Sequence, residues 1–121
     1  MTQHEITKAA PLLDASGNLT EPGWARSLLP VYCRSQIRAP KTRIKEWDYY
    51  CITDGHIGLA LTIADNGYMG LDSISFLNFD ERFEITKSPM RLFPMGKTHL
   101  PESSRLGASE IAASGYALAF Y

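Results

Sequence analysis

The sequence predicts a mostly β protein: an antiparallel meander that forms a partial or open barrel behind an irregular N-terminal lead-in. Three observations carry this reading. No window shows an apolar 3.6-residue period of helix length. Residues 43–64 are dense in aromatic and β-branched types and are interrupted once, by Asp54-Gly55, a strong two-residue hairpin signal. Beyond them, clusters of Gly, Asn, Asp and Pro recur at short intervals, as turns between short strands do.

Residues 1–30 form the lead-in. Pro11, Gly17, Asn18, Pro22, Gly23 and Pro30 punctuate them, and Asp14 to Asn18 is turn chemistry. Leu12, Leu13, Trp24, Leu28 and Leu29 are the residues expected to fasten this segment to the body. Residues 31–121 then make the β domain. A first strand is predicted over 31–38 and a second over 43–52. A third covers 57–64, where large aliphatic and small residues alternate strictly. Asp65-Asn66-Gly67 turns the chain into a strand centred on 71–79. Residues 83–94 read as a short strand interrupted by Pro89, residues 95–110 as loop, and 115–121 as a final alternating strand.

The count is five or six strands, and closing a barrel usually takes about eight. An apolar strand at the chain end would also leave an exposed sheet edge, which natural proteins avoid. The β domain therefore reads as incomplete. Truncation from a longer protein is the favoured explanation; a second copy completing the sheet, a homodimer, is the other.

With Asp54 and Gly55 as the two turn residues, Thr53 would pair with His56. Tyr50 would then face Leu59, Asp48 Leu61 and Glu46 Ile63. Side chains alternate across a strand, so the ribbon has two faces. One carries Ile44, Tyr50, Ile52, Ile57, Leu59, Leu61 and Ile63 with Glu46 and Asp48 set among them. The other lays Trp47 and Tyr49 over Gly58, Ala60 and Thr62. The aliphatic face is the expected interior. Glu46 and Asp48 would lie about 6 to 7 Å apart there, and carboxylates on an apolar face must find partners or change protonation. They are the candidate catalytic acids, unless Arg34, Arg38 or Arg43 neutralises them. Trp47, Tyr49, Tyr50 and Arg43 are the candidate ligand-binding residues, against the plainer reading of Trp47 as a barrel plug under an arginine and of the tyrosines as packing residues.

Composition excludes several classes. The 12 Lys and Arg residues against 13 Asp and Glu give a net charge of -1, which argues against an electrostatic nucleic-acid binder, since that would need a basic face. Cys33 and Cys51 form no C-x-x-C pair, and the three histidines lack closely spaced partners, so no metal is assigned. The chain shows no apolar leader or membrane-length stretch, which makes a soluble cytoplasmic protein the default. No phosphate loop, nucleophile elbow or dinucleotide fingerprint occurs, and nothing calls for a cofactor.

Several segments together resemble an uncharacterised bacterial family, the domain-of-unknown-function 2804 family. They are Glu5-Ile6-Thr7, Pro11-Leu12-Leu13-Asp14, Gly17-Asn18-Leu19, Pro22-Gly23-Trp24-Ala25, the run Arg43-Ile-Lys-Glu-Trp-Asp-Tyr-Tyr50, and Ala64-Asp65 with Gly67-Tyr68. The resemblance covers residue 5 to about residue 80. It implies a longer parent protein, since members of the family exceed this length. It also implies a fold similar to calycin-type β-barrels, among them the lipocalins, and it brings no catalytic residues with it.

Three functions fit these features. The first is a lipocalin-like module that takes a hydrophobic small molecule. The second is a hydratase or isomerase acting on an apolar substrate, with Glu46 or Asp48 as the acid. The third is an interaction module whose open β edges pair with another chain.

Overall fold

The computed structural model describes residues 3–121, which divide into two compact units, one reaching Ala39 and the other Pro40–Tyr121. Both are built from strands and turns, with two single-turn 3-10 segments.

In the first unit, β1 (Ala10–Pro11) runs parallel to β2 (Pro30–Val31), and isolated bridges join Glu5 to Trp24 and Leu13 to Leu19. The Asp14 carboxylate accepts hydrogen bonds from the backbone N–H of Ser16 and of Asn18, closing the turn that the sequence announces. Those donors, Asn18 first, lower the Asp14 pKa. The strand expected over 31–38 is not formed. Only Pro30–Val31 pair, and Arg34–Gln36 make a 3-10 turn instead. Residues 33–36 offer no alternating apolar face to hold a strand in a sheet.

The second unit is an open, strongly curled antiparallel half-barrel sheet. Four long runs of chain follow one another as a meander. The first is β3 (Glu46–Thr53) and the second β4 (Ile57–Asp65). The third comprises β5 (Met69–Leu71) and β6 (Ser73–Asn78), which share one register against β4: Asp65 faces Gly70 and Thr62 faces Ser73. The fourth comprises β7 (Phe83–Lys87) and β8 (Met90–Leu92), again in one register against the third. Asp72 and Pro89 lie opposite each other at the two interruptions. Proline has no N–H to give the ladder, and one bond survives there, from the Asp72 N–H to the Pro89 carbonyl at 3.1 Å.

The β3–β4 turn corrects the predicted register. Gly55 and His56 are the central residues: Asp54 N–H bonds the Ile57 carbonyl, and Thr53 pairs with Gly58. The Asp54 side chain selects this turn by accepting from the N–H groups of His56 and Ile57, both at 2.9 Å. Gly55, with φ +94°, takes the first central position, where a type II′ turn needs glycine. Tyr50 therefore faces Leu61, Asp48 faces Ile63 and Glu46 faces Asp65. A slip of two residues preserves the side-chain period, so the two predicted faces stand even though every predicted pair moves.

The 3-10 turn Lys41–Arg43 precedes β3, so the strand starts three residues later than expected. A separate hairpin, β9 (Ser109–Ala113) with β10 (Tyr116–Phe120), ends the chain. Its half-buried side is Ser109, Ile111, Ala113, Tyr116, Leu118 and Phe120, the alternation that the sequence shows.

Burial is concentrated at one end of the sheet. Ile44, Ala60, Ile63 and Ala64 are buried, Ile63 completely, while Ile52, Ile57 and Ile85 toward the other end are exposed. Gly67 has φ +77°, and a Cβ there would lie 2.5 Å from the Lys41 carbonyl oxygen; a Cβ on Gly55 would meet nothing within 4 Å. Gly55→Ala should thus meet no clash and cost only the strain of an L side chain at that backbone conformation, on the order of 1–3 kcal/mol, and Gly67→Ala clearly more. Urea-unfolding midpoints of the two variants check the order.

Candidate functional site

Directly opposed residues in an antiparallel sheet share a face, so the registers sort one side of the sheet into rows. Glu46, Asp65, Gly70 and Arg91 form the first row. Asp48, Ile63, Asp72 and Pro89 follow, the last three brought opposite by the same registers. Then come Tyr50, Leu61, Ile74 and Lys87, and next Ile52, Leu59, Phe76 and Ile85. Ile57, Asn78 and Phe83 finish the side. The face is polar and closed at one end, aliphatic and open at the other.

The closed end is built around Asp72, which has no exposed surface. Arg91 donates to it through two nitrogens, Nε to Oδ2 at 2.6 Å and Nη2 to Oδ1 at 3.0 Å. The Tyr116 hydroxyl donates to Oδ2 at 2.6 Å, and Ala64 N–H donates weakly to Oδ1. The guanidinium also reaches the Ala64 carbonyl and Thr98. Gly70 makes room for it: a Cβ there would lie 2.9 Å from the Arg91 Cζ. Asp65, 1% exposed, accepts from Gly67 N–H, Gly96 N–H and the Thr98 hydroxyl. The carboxylate of Asp72 holds the Arg91 pKa above its ordinary value. Burial, then the bond to Asp72, raises that of Tyr116.

The β9–β10 hairpin lies against this face through side chains. Ser109 donates to Asp48, Tyr116 to Asp72, and the Phe120 ring sits 4.6 Å from the Tyr50 ring at 39°.

Of the residues picked from sequence, Glu46, Asp48 and Tyr50 belong to this face. Glu46 and Asp48 are half-buried, Asp48 bonded to Ser109 and Glu46 opposite Asp65. Trp47 and Tyr49 point to the other side and are 61% and 57% exposed, so Trp47 is no plug. The Arg ring contact falls instead on Trp24, with Arg26 5.0 Å from its centroid. Tyr49 has a raised pKa from its contact with Cys51. Arg43 ends an exposed 3-10 turn outside the strands. Asp72, Arg91, Thr98 and Tyr116 were not singled out by the sequence. Their signals are faint: a lone aspartate between two strand halves, and an arginine between Met90 and Leu92 in an otherwise apolar run.

Among the described residues, no group of three or more His, Cys, Asp or Glu is placed to hold a metal ion. No helix there is long and apolar enough to cross a membrane. Residues 3–121 match the family described as Domain of unknown function (DUF2804), and the chain belongs to it; the match takes in the β9–β10 hairpin as well as the segments that carry the resemblance. No curated protein and no solved structure matches the chain.

Arg91→Met should destabilise the protein by about 3–5 kcal/mol, because Asp72 would keep its burial and lose its counter-charge. Tyr116→Phe should cost about 1–3 kcal/mol. Denaturant midpoints check both. Tyr116 also shapes the alkaline limb. A phenol whose folded pKa is raised contributes stability that is whole below the ordinary value of 10.0 and is lost as pH rises through the folded value. Stability of the Tyr116→Phe variant should therefore fall less steeply above pH 10.0 than that of the parent protein.

Proposed function

We propose that this member of the family is a lipocalin-like module that binds a hydrophobic small molecule on the aliphatic face of its half-barrel. One observation carries the reading. Ile52, Ile57, Leu59, Ile74, Phe76, Phe83 and Ile85 lie in adjoining rows on one side of the sheet, and every one is at least 36% exposed. A contiguous apolar surface of this kind is costly in water unless something covers it, and such surfaces mark binding sites.

The polar end supports the same reading. A binding face needs rigid backing and a few polar groups at one side. The Asp72–Arg91–Tyr116 network supplies the backing, and Asp48 with Ser109 and the Tyr50 ring marks the border between polar and apolar rows.

A second reading rests on a different observation. Among the described residues, β3 pairs only with β4 and β7 only with β6, so the sheet has two free edges. An extended segment of another chain, or a second copy, could add a strand there. This reading requires association that grows with protein concentration in sedimentation experiments; a strictly monomeric chain that still binds apolar compounds leaves the first reading alone.

The test of the first reading is saturable binding of an apolar fluorescent probe to the purified protein. Ile52→Ser and Ile85→Ser should each weaken binding by about 1 kcal/mol or more, roughly fivefold. Trp47→Ser, on the opposite side, should leave it unchanged. No saturable binding, or equal losses on both sides of the sheet, would sink the proposal.

A further inference from the structure

We infer that the occupant of the aliphatic face is an amphiphile with an anionic head, a long-chain monocarboxylate, and that Lys87 receives the head. The inference rests on the apolar-ligand reading above and adds the chemistry and direction of the ligand.

The argument begins from the charges on this face. Only two cationic residues occupy its rows among the described strands, Arg91 and Lys87. Arg91 is committed: two of its nitrogens hold Asp72, and its side chain is 18% exposed. Lys87 is exposed and takes part in none of the ion pairs formed in this unit by Arg91 with Asp72 and by His56 with Asp80. Its direction is fixed by its neighbour. Thr86 bonds Ser75 on the other side of the sheet, with the hydroxyl oxygens 2.8 Å apart, so Lys87 and Ile85 share the aliphatic side. In register, Lys87 stands opposite Ile74, and Ile85 opposite Phe76.

Charge also fixes the orientation. Glu46, Asp48, Asp65 and Asp72 all fall in the two rows at the closed end, where Arg91 is the single cation. An anionic head is repelled from those two rows and, in the rows beyond them, has one cation to meet, Lys87 in the row of Tyr50, Leu61 and Ile74. With the head at Lys87, the chain extends across Ile85, Phe76, Leu59 and Ile52. That row crosses three strand spacings, roughly 14 Å, and is apolar from edge to edge.

The experiment compares myristic acid with tetradecanol, each displacing an apolar fluorescent probe from the parent protein, Lys87→Met and Lys87→Arg. The parent should bind the acid about tenfold more tightly than the alcohol. Lys87→Met should bring that ratio near one while the alcohol affinity holds, Lys87→Arg should keep the preference, and added salt should erode it. An acid-to-alcohol ratio that Lys87→Met leaves unchanged overturns the inference and makes Lys87 a guard of the sheet edge. Probe binding that neither amphiphile displaces also overturns it, while the apolar-ligand reading survives. If the probe itself fails to bind, both fall together. Circular dichroism of the variants shows that the exposed substitutions leave the fold intact.

Discussion

A carboxylate with no exposed surface, Asp72, sets the terms for the second unit. Removing a carboxylate from water costs several kcal/mol unless its lone pairs are met by donors in good geometry. Asp72 meets that demand with donors from three other places in the chain: Ala64 on β4, Arg91 on β8 and Tyr116 on β10. Each bond fixes a strand. The sheet cannot slide at β8 without parting the guanidinium from Asp72. Nor can the terminal hairpin leave the face without stranding one of the carboxylate's lone pairs. Breaking such a network by one partner is expensive, and that is what gives it structural authority.

The network in turn explains the small residues around it. Gly70 sits between Asp65 and Arg91 in its row, and the guanidinium fills the place where its side chain would be. Asp65 is met by two backbone N–H groups, from Gly67 and Gly96, and by Thr98. The segment around Gly96, irregular in itself, is thereby tied to the end of β4. Pro89 across from Asp72 interrupts the ladder, which keeps one bond there and resumes between β5 and β8, where the side-chain network takes over. Backbone pairing yields to charge pairing at one place, and the chain there is split into the short pieces β5, β6, β7 and β8.

Local chemistry made much of this legible. The aromatic and β-branched run at 43–52, the alternation at 57–64 and 115–121, and the interruption at Pro89 each point to their element through pattern alone, though the first strand begins only at Glu46. The division of the hairpin into two faces followed from the period of two and survived a wrong register. The register itself depended on which residues an aspartate side chain chose to cap, a contest between Asp54-Gly55 and Gly55-His56 that a turn signal does not decide. Asp72 and Arg91, 19 residues apart, and Tyr116, 44 from Asp72, were beyond reach for another reason. Nothing in their local sequence shows that they meet, because their meeting is a product of three turns whose lengths must all be known first. Glu46 and Asp48 stood out in sequence for their apolar setting. Asp65 did not, because it was read as part of a turn, although it is the more deeply buried.

The polarity of the face follows from these same constraints. A half-barrel needs one end where the strands are locked, and here the lock is made of charge: four acidic positions and one guanidinium within two rows. Every carboxylate placed there is absent from the rows beyond, which are left with aliphatic and aromatic side chains, a single lysine and, in the last row, Asn78. The locked end is what allows the open end to stay exposed. Apolar rows without such backing would be free to collapse or repack, whereas rows held in register by Asp72 and Arg91 keep Ile52, Leu59, Phe76 and Ile85 in line across the sheet. A surface that is both apolar and rigid loses little conformational freedom when it is covered. The buried ion pair therefore matters most to the proposed binding face at the rows it does not touch.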